Sequence, residues 1–278
     1  MKQLLFLLFA HLSLANTLNL DEFKTTKYDC FINYVSTNYV ACENHVYKAN
    51  KLIFSISDNI TFIDDYLDNI LIISSKDGEK TLSLYKNNKL KSKAIASDIN
   101  KAFLYEKGII LVSLASEIKI LDFDFKNIYY KQLSNASISS ASLNNDRHKL
   151  AIGFESGKIA IFDLANNDFL IKEIHKDNIY NVDYKNGLII SCSTDRNVII
   201  SDENLNEIKR INNDNLVYNC ALSDDGSIYA YSCDVDNNIC INDDLIKIDN
   251  LYLNSIIFDG FKLKLNAYSD VLYEKDFK

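Results

Sequence analysis

Three stretches of the chain repeat one pattern and decide its fold: LAIGFESGKIAIFD (150–163), NGLIISCSTDRNVIISD (186–202) and GSIYAYSCDVDNNICIND (226–243). Each copy contains an apolar run, a short polar loop, a second apolar run and a closing aspartate. The closing residues Asp163, Asp202 and Asp243 lie 39 and 41 residues apart. A period of about 40 residues with two strands in each copy is typical of a β-propeller blade.

The same period extends across the rest of the chain. The residues that open the second strand of each copy lie 31 to 40 residues apart, at Asn38, Asn69, Gly108, His148, Gly187, Gly226 and Gly260. Further apolar runs lie between the copies, as a four-stranded blade requires, and no segment keeps a helical period of about 3.6 residues. The sequence therefore predicts an all-β, seven-bladed propeller that forms one domain over residues 16–278.

The two ends of the chain predict how the ring closes. After the last third strand, Val271–Lys275, only three residues remain, which is too few for an outer strand. A spare apolar run, Leu18–Phe23, precedes the first inner strand, Tyr28–Asn33. Because an open sheet edge exposes unpaired backbone groups, we expect Leu18–Phe23 to pair with Val271–Lys275 as the outer strand of the last blade.

Residues 1–15 have the organisation of a secretory signal peptide. Lys2 supplies the positive charge, Leu4–Ala10 the apolar core, and Ser13–Ala15 the small-residue cleavage site. The apolar core is much shorter than the ~20 residues that a membrane-spanning helix needs. The absence of proline and the surplus of Asn, Lys and Ile indicate an AT-rich bacterial genome. We therefore expect an exported, periplasmic protein without a membrane anchor.

Composition excludes several classes of protein. A hydrophobic content of 47% excludes a disordered chain. The formal net charge of −8 argues against non-specific binding to nucleic acid or to an anionic membrane surface.

The middle copy of the repeat resembles the WD40 family. His175 stands at the position of the Gly-His histidine of that family, Ser193 and Asp195 match its Ser-x-Asp, and Ser201-Asp202 replace its Trp-Asp. The resemblance implies that His175, Ser193 and Asp195 form a structural hydrogen-bond network inside one blade. A catalytic triad built from the same three residue types is the alternative.

Six cysteines follow the leader, and an even number in an oxidising compartment permits disulfides. A hairpin centred on Ser36 places the first two cysteines opposite each other, and the last two flank one short loop. The candidate disulfides are therefore Cys30–Cys42 and Cys233–Cys240. Cys192 and Cys220 remain, on neighbouring blades. Free buried thiols that pack as small apolar groups are the alternative for every cysteine.

The sequence offers no group of residues suited to catalysis. His45 and His148 are isolated, and the Asp234-x-Asp236-x-Asn238 segment lacks the later Gly and Glu of a calcium loop. Nucleotide-binding, nucleophile-elbow and zinc-protease motifs are absent from the sequence. We therefore expect no catalytic residue, no cofactor and no metal site, and we expect that the protein is not an enzyme.

One face of the predicted propeller is acidic. The loops that join strands two and three of each blade share this face with the connections between blades, and we name it the acidic loop face. By sequence these segments hold 14 acids against six bases. The candidate protein-binding residues are Asp58, Asp98, Glu117, Asp177, Asp195, Asp214, Asp234, Asp236 and Asp249. The face is either a docking surface for a basic partner or a set of simply solvated loops.

These observations predict a monomeric protein-interaction or assembly factor. The leader, the length and the composition also resemble the NapL family of accessory propellers. That resemblance implies a role in maturation of, or electron delivery to, a periplasmic nitrate reductase, with its subunits or c-type cytochromes as partners. A propeller hydrolase or lactonase with a metal site in the channel, and an outer-membrane assembly or envelope scaffold, remain alternatives.

Overall fold

The structure, a computed structural model, describes residues 18–233, 238–242, 244–247 and 252–278. The expected signal peptide, residues 1–15, lies outside them. Within the described residues the only helix is the three-residue 3-10 turn Leu20–Glu22. No helix in this part of the chain has the length and apolar character that a bilayer crossing requires.

Strands make up nearly all of the remaining regular structure. In chain order they are β1 (Leu18–Asn19), β2 (Lys24–Lys27), β3 (Ile32–Val35), β4 (Val40–Cys42), β5 (His45–Lys48), β6 (Lys51–Ser55), β7 (Asn59–Tyr66), β8 (Asn69–Lys76), β9 (Glu79–Lys86), β10 (Lys89–Ile95), β11 (Ile99–Tyr105), β12 (Gly108–Ser113), β13 (Glu117–Leu121), β14 (Asn127–Gln132), β15 (Ile138–Leu143), β16 (Lys149–Phe154), β17 (Lys158–Asp163), β18 (Asp168–Glu173), β19 (Ile179–Lys185), β20 (Leu188–Ser193), β21 (Asn197–Asp202), β22 (Glu207–Asn212), β23 (Cys220–Leu222), β24 (Tyr229–Ser232), β25 (Ile239–Ile241), β26 (Asp244–Lys247), β27 (Leu253–Asp259), β28 (Lys262–Ala267) and β29 (Val271–Asp276).

The strands form seven sheets that are the blades of a propeller, and all their pairings are antiparallel except that of β1 with β26. Blades 1 to 6 are the meanders β3–β6, β7–β10, β11–β14, β15–β18, β19–β22 and β23–β26. Blade 7 has the order β27, β28, β29, β2, so its outer strand comes from the N-terminal part of the chain. The predicted all-β, seven-bladed propeller with N-terminal closure is confirmed.

The residues that close the ring differ from the prediction. β2 pairs antiparallel with β29, and Lys24 lies opposite Glu274. The predicted pairing of Leu18–Phe23 with Val271–Lys275 is wrong, because β1 instead pairs parallel with β26 in blade 6. Phe23 is buried in the apolar cluster shared by blades 6 and 7. The chain therefore crosses from blade 6 to blade 7 through the turn Leu20–Glu22, and closure starts after Phe23.

Burial explains why the second strand of each blade was visible in the sequence. Every residue of β12 is buried, and so are the first six residues of β8. These strands have a neighbouring strand on each side and a neighbouring blade against each face. A strand that is covered on both faces consists of a nearly continuous apolar run rather than an alternating one.

The inner strands are joined to each other by side chains. Polar residues of one inner strand accept hydrogen bonds from the backbone of the next blade, and the N···O pairs are Leu104–Asp64 (2.7 Å), Tyr184–Ser142 (3.2 Å) and Leu222–Asp183 (3.0 Å). Between blades 3 and 4 the direction is reversed, since Lys101 Nζ donates to the carbonyl of Ala141 at 2.9 Å. These bonds satisfy backbone groups that no strand pairing reaches on the side facing the central channel.

We expect Phe23→Ala to lower the free energy of unfolding by about 3–5 kcal/mol, because it leaves a cavity where the closing segment enters the core. Urea unfolding followed by far-ultraviolet circular dichroism measures the change. Leu90→Ala, at an exposed position of β10, is the matched control and should change stability by less than about 0.5 kcal/mol. If both substitutions lowered the free energy of unfolding by the same amount, the closing segment would stabilise the fold no more than an exposed residue does.

Candidate functional site

Strand direction separates the loops into two faces. The acidic loop face carries the strand 2–3 loops and the connections between blades, and the opposite face carries the strand 1–2 and strand 3–4 turns. The predicted docking residues Asp177 and Asp214 are exposed on the acidic loop face, and Asp58 is half-buried there beside the Ser57 hydroxyl, at 2.7 Å. These three carboxylates are available to a partner.

Two of the predicted docking residues have partners within the chain. Asp98 is half-buried and accepts a hydrogen bond from the Ser113 hydroxyl. Glu117 accepts hydrogen bonds from Lys119 Nζ at 2.7 Å and from the Tyr130 hydroxyl at 2.9 Å. These two hydrogen bonds lower the pKa of the Glu117 carboxyl. Both carboxylates therefore organise their own loops, and the remaining candidates Asp234, Asp236 and Asp249 lie outside the described residues.

Asp195 is not a docking residue. Its side chain is 5% exposed and contacts the fully buried ring of His175. His175 Nδ1 lies 3.0 and 3.1 Å from the two carboxylate oxygens, and the backbone N–H of Lys176 donates to the same carboxylate at 2.9 Å. Since a carboxylate can only accept, Nδ1 carries the donated hydrogen. The assignment of Asp195 to the docking surface is therefore wrong.

Hydrogen bonding keeps the Asp195 carboxyl ionised. Burial raises its pKa, but the hydrogen bond from His175 and those from the backbone N–H groups of Lys176 and Asn197 outweigh burial and hold the pKa well below the usual range. Gly157 allows the backbone at His175 to lie close to it, because a Cβ at Gly157 would lie 2.3 Å from the His175 carbonyl oxygen.

The serine that contacts His175 differs from the predicted one. His175 Nε2 lies 2.9 Å from Ser191 Oγ. Ser193 Oγ instead donates to the Asp177 carbonyl at 3.1 Å and accepts from the Asp195 backbone N–H at 3.0 Å. Ser191 and Ser193 lie on the same face of β20, as residues two apart do, so the spacing alone did not distinguish them. The His175 ring and both serine hydroxyls are buried, and the set has the geometry of a structural hydrogen-bond network.

The structure brings both candidate cysteine pairs together. Cys30 and Cys42 form a disulfide with a Cα–Cα distance of 5.5 Å, and Cys233 and Cys240 form one with 5.7 Å. The predicted register is wrong for the first pair, because Val35 pairs with Val40: the hairpin is centred between Thr37 and Asn38 and not on Ser36, so Ile32, and not Cys30, lies opposite Cys42.

Cys192 and Cys220 are free and buried. Their thiols lie 3.8 and 3.7 Å from the same acceptor, the carbonyl oxygen of Asn181, at the contact between blades 5 and 6. Burial and the neighbouring Cys192 raise the pKa of the Cys220 thiol. The two thiols therefore belong to the packing between the blades.

A cavity of about 440 Å³ occupies the central channel. Burial lowers the pKa of Lys101 in its wall to about 8, although Asp183 opposes the shift. Arg147 lies at the mouth on the opposite face and donates to both oxygens of Asp64, at 2.8 and 2.9 Å. Among the residues that the structure describes, no three His, Cys, Asp or Glu side chains are grouped as a metal site. Lys101 and Asp64 thus take part in hydrogen bonds between blades.

The two isolated histidines lie apart from the channel. His45 Nδ1 is 2.6 Å from the Ser55 hydroxyl across two strands of blade 1. His148 is exposed in a turn whose backbone N–H groups donate to Asn144 Oδ1.

The two faces use their charges differently. On the opposite face, ion pairs join blades or turns, with N···O distances between 2.7 and 3.1 Å, in Arg147–Asp64, Lys149–Glu203, Lys185–Asp224 and Lys264–Asp259. On the acidic loop face the described lysines make two pairs, Lys27–Asp270 and Lys119–Glu117. Within the described ranges the exposed or half-buried acids of this face that have no ion pair include Glu43, Asp58, Asp77, Glu79, Glu155, Asp177 and Asp214. The count of acids and bases in the sequence predicted the negative charge of this face, but only the structure shows which carboxylates have no ion pair.

Comparison with known proteins supports the architecture. No family model matches the sequence, and no curated protein matches it. Solved structures do match: a chain of a mitotic checkpoint complex (13% identity, TM-score 0.74, covering 92% of this chain and 95% of that one), the WD40 β-propeller domain of Doa1 (15%, 0.69, 92% and 96%) and the β-propeller domain of Myceliophteria thermophila Cps50 (Swd1) (11%, 0.71, 92% and 100%).

The fold is that of a WD40-type β-propeller. At these identities the similarity concerns the fold alone. Blade 5 of this WD40-type propeller keeps the His–Asp contact although Ser201 replaces the family tryptophan, and the Ser201 hydroxyl is buried without a hydrogen-bond partner among the described residues.

We expect Asp195→Ala to lower the free energy of unfolding by about 1–3 kcal/mol, because the buried His175 donor loses its acceptor. Chemical denaturation measures the loss, and Asp177→Ala, at an exposed position two residues after His175, is the control that should stay within about 0.5 kcal/mol. Unchanged stability together with a lost hydrolytic activity would favour the catalytic triad instead.

The contribution of the Asp195 charge should depend on pH. Its folded-state pKa lies below the ordinary value of 3.8, so its stabilisation is complete above that value and is lost as the pH falls below it. We expect the stability difference between the wild type and Asp195→Asn to be constant near neutrality and to narrow below about pH 4. Urea midpoints measured from neutral to acidic pH test this, and a difference that does not change with pH would contradict it.

Proposed function

We propose that the chain is an exported protein-interaction or assembly factor that docks a partner with a basic surface onto its acidic loop face. The observation that carries this proposal is the difference between the two faces. The opposite face holds four ion pairs that join its blades or turns, whereas the described lysines of the acidic loop face make two and leave carboxylates such as Asp77, Asp177 and Asp214 without an ion pair. A surface with unpaired charge of one sign attracts a partner of the other sign.

The physics of exposed charges defines what such a face does. Screening limits their range to about one Debye length, ~8 Å at physiological salt. They therefore raise the rate of association and select the orientation of the partner more than they raise final affinity. Because solvated loop charges contribute little to stability, they can be reversed without unfolding the propeller.

Export to the periplasm is part of the proposal. It is supported by the organisation of residues 1–15 and by two disulfides within the chain, which persist in oxidising compartments. We also propose that the protein acts without catalysis. The polar side chains that could suit catalysis, those of the His175 network and of the channel, are buried or bonded to neighbouring blades.

A narrower hypothesis concerns the partner. The resemblance to the NapL family points to periplasmic nitrate reductase subunits or c-type cytochromes, and one of the similar solved structures is a chain of a multiprotein complex. Affinity purification from the periplasm, with bound proteins identified by mass spectrometry, tests this. Recovery of outer-membrane or envelope proteins would favour the envelope scaffold instead.

We expect the triple reversal Asp77→Lys, Asp177→Lys and Asp214→Lys to slow association with the purified partner, because it removes free charge from the docking face. Asp98 is left intact, since it accepts a hydrogen bond from Ser113. Surface plasmon resonance measures the rate, which for the wild type should also fall as salt rises from about 0.05 to about 0.5 M.

The matched control reverses three exposed acids of the opposite face, Asp68, Asp146 and Asp168. It makes the same change in net charge and should affect the association rate much less. An association rate that responds to neither salt nor the docking-face reversal would mean that the acids only keep the protein soluble. Equal effects of the two triple variants would mean that net charge, and not this face, attracts the partner.

A further inference from the structure

The acidic loop face also carries most of the exposed aromatic side chains. Five of them belong to four consecutive blades, 5, 6, 7 and 1, and they are between 38% and 73% exposed: Phe31, Tyr180, Tyr218, Tyr252 and Tyr268. We name this set the aromatic arc. Elsewhere in the described chain the exposed aromatic residues are only Phe123 and Tyr130. The concentration on one sector of one face is therefore not a property of the whole surface.

Local contacts divide the arc into two neighbouring groups. The rings of Tyr180 and Tyr218 lie with their centroids 4.6 Å apart, across the contact between blades 5 and 6. The backbone N–H of Tyr268 donates to the carbonyl of Tyr252 at 3.1 Å, which holds these two residues side by side on blade 7. Phe31 follows on blade 1, where Ile32 N–H donates to the Ser269 carbonyl at 3.0 Å.

The backbone at three residues of the arc is held by bonds within the chain. Phe31 lies between Cys30, which is tied to Cys42 by a disulfide, and Ile32, which is bonded to blade 7. Tyr180 lies within β19, and the Tyr218 backbone N–H donates to Ser232 Oγ at 3.1 Å. A backbone that is already ordered loses little conformational entropy on binding. The exposure of these rings does not stabilise the fold, because apolar surface is more favourable buried than in contact with water.

Free carboxylates accompany the arc. Asp177 lies close enough to Tyr180 that its charge, after burial and the neighbouring Tyr218 ring, raises the pKa of the Tyr180 hydroxyl. Asp214 precedes Tyr218, and Glu43 accompanies Phe31 through a hydrogen bond from its N–H to the Phe31 carbonyl at 3.0 Å. Aromatic faces and carboxylates both attract cations. A guanidinium group satisfies both at once, since its plane stacks on a ring while its N–H groups donate to oxygen.

We propose that the aromatic arc receives arginine side chains from an extended basic segment of the docked partner. This inference rests on the proposed function and names the chemistry of the partner. A carboxamide adjoins the arc at the channel mouth, since Asn219 lines the cavity next to Tyr218. Carboxamides both donate and accept, and they suit the backbone of an extended polypeptide.

The probe for this proposal is a labelled synthetic peptide of alternating glycine and arginine, titrated by fluorescence anisotropy against the full mature chain. Matched peptides carry lysine or uncharged citrulline in place of arginine. We expect the arginine peptide to bind more tightly than the lysine peptide, because only guanidinium combines stacking with bidentate hydrogen bonding. The citrulline peptide should bind most weakly, because it lacks the charge.

The decisive variant is Tyr218→Ala with Tyr252→Ala, which removes one ring from each group and should weaken binding of the arginine peptide about tenfold. Tyr218→Phe with Tyr252→Phe keeps the rings and should bind like the wild type. Phe123→Ala, on the opposite face, is the control for the loss of an exposed ring and should have no effect. Circular dichroism verifies that each variant is folded.

The outcomes separate this inference from the proposed function. If the alanine pair binds the peptide like the wild type while the triple acid reversal still slows docking of the purified partner, the arc is not the arginine site and the docking face stands. Equal binding of the arginine and lysine peptides would likewise show that the aromatic arc does not select guanidinium groups. If neither the arc nor the acid variants change any interaction, both proposals fail.

Discussion

The pairing of β2 with β29 is the constraint on which the rest of the structure depends. It places residues from the start of the described chain in the last blade, where β2 covers the edge of β29 and supplies the outer strand. Once the ring is closed, all inner strands surround one channel, and all loops of the same order lie on one face. Phe23 secures the start of this pairing from within the core of blades 6 and 7.

Closure creates a second requirement inside the ring. Inner strands have a strand neighbour on one side only, so their channel-side backbone groups need other partners. Asp64, Ser142 and Asp183 meet this need by accepting hydrogen bonds from the adjacent blade. The polar and charged lining of the channel therefore follows from the architecture. For this reason a cluster of polar residues in a propeller channel is weak support for catalysis, and we expect the functional surface on one of the two faces.

The faces differ in how their polar groups are satisfied. Arg147 from blade 4 contacts Asp64 and the carbonyls of Asp65 and Leu104, so one side chain joins blades 2, 3 and 4 on the opposite face. The acidic loop face has few such contacts, and it combines free carboxylates with exposed rings such as Tyr252 and Tyr268.

The sequence by itself determined the number of blades and the second strands, because both depend on alternation, turn residues or spacing within one repeat. Its resemblance to the WD40 family implied the His175–Asp195 contact. Only the tertiary structure decided that closure starts after Phe23, that Asp195 is buried, and which carboxylates stay unpaired. It alone assembled the aromatic arc, since Phe31 and Tyr252 are 221 residues apart in the chain. Local patterns fix strands because strand geometry is periodic along the chain, whereas burial and surface clustering depend on contacts between distant residues that no periodicity encodes.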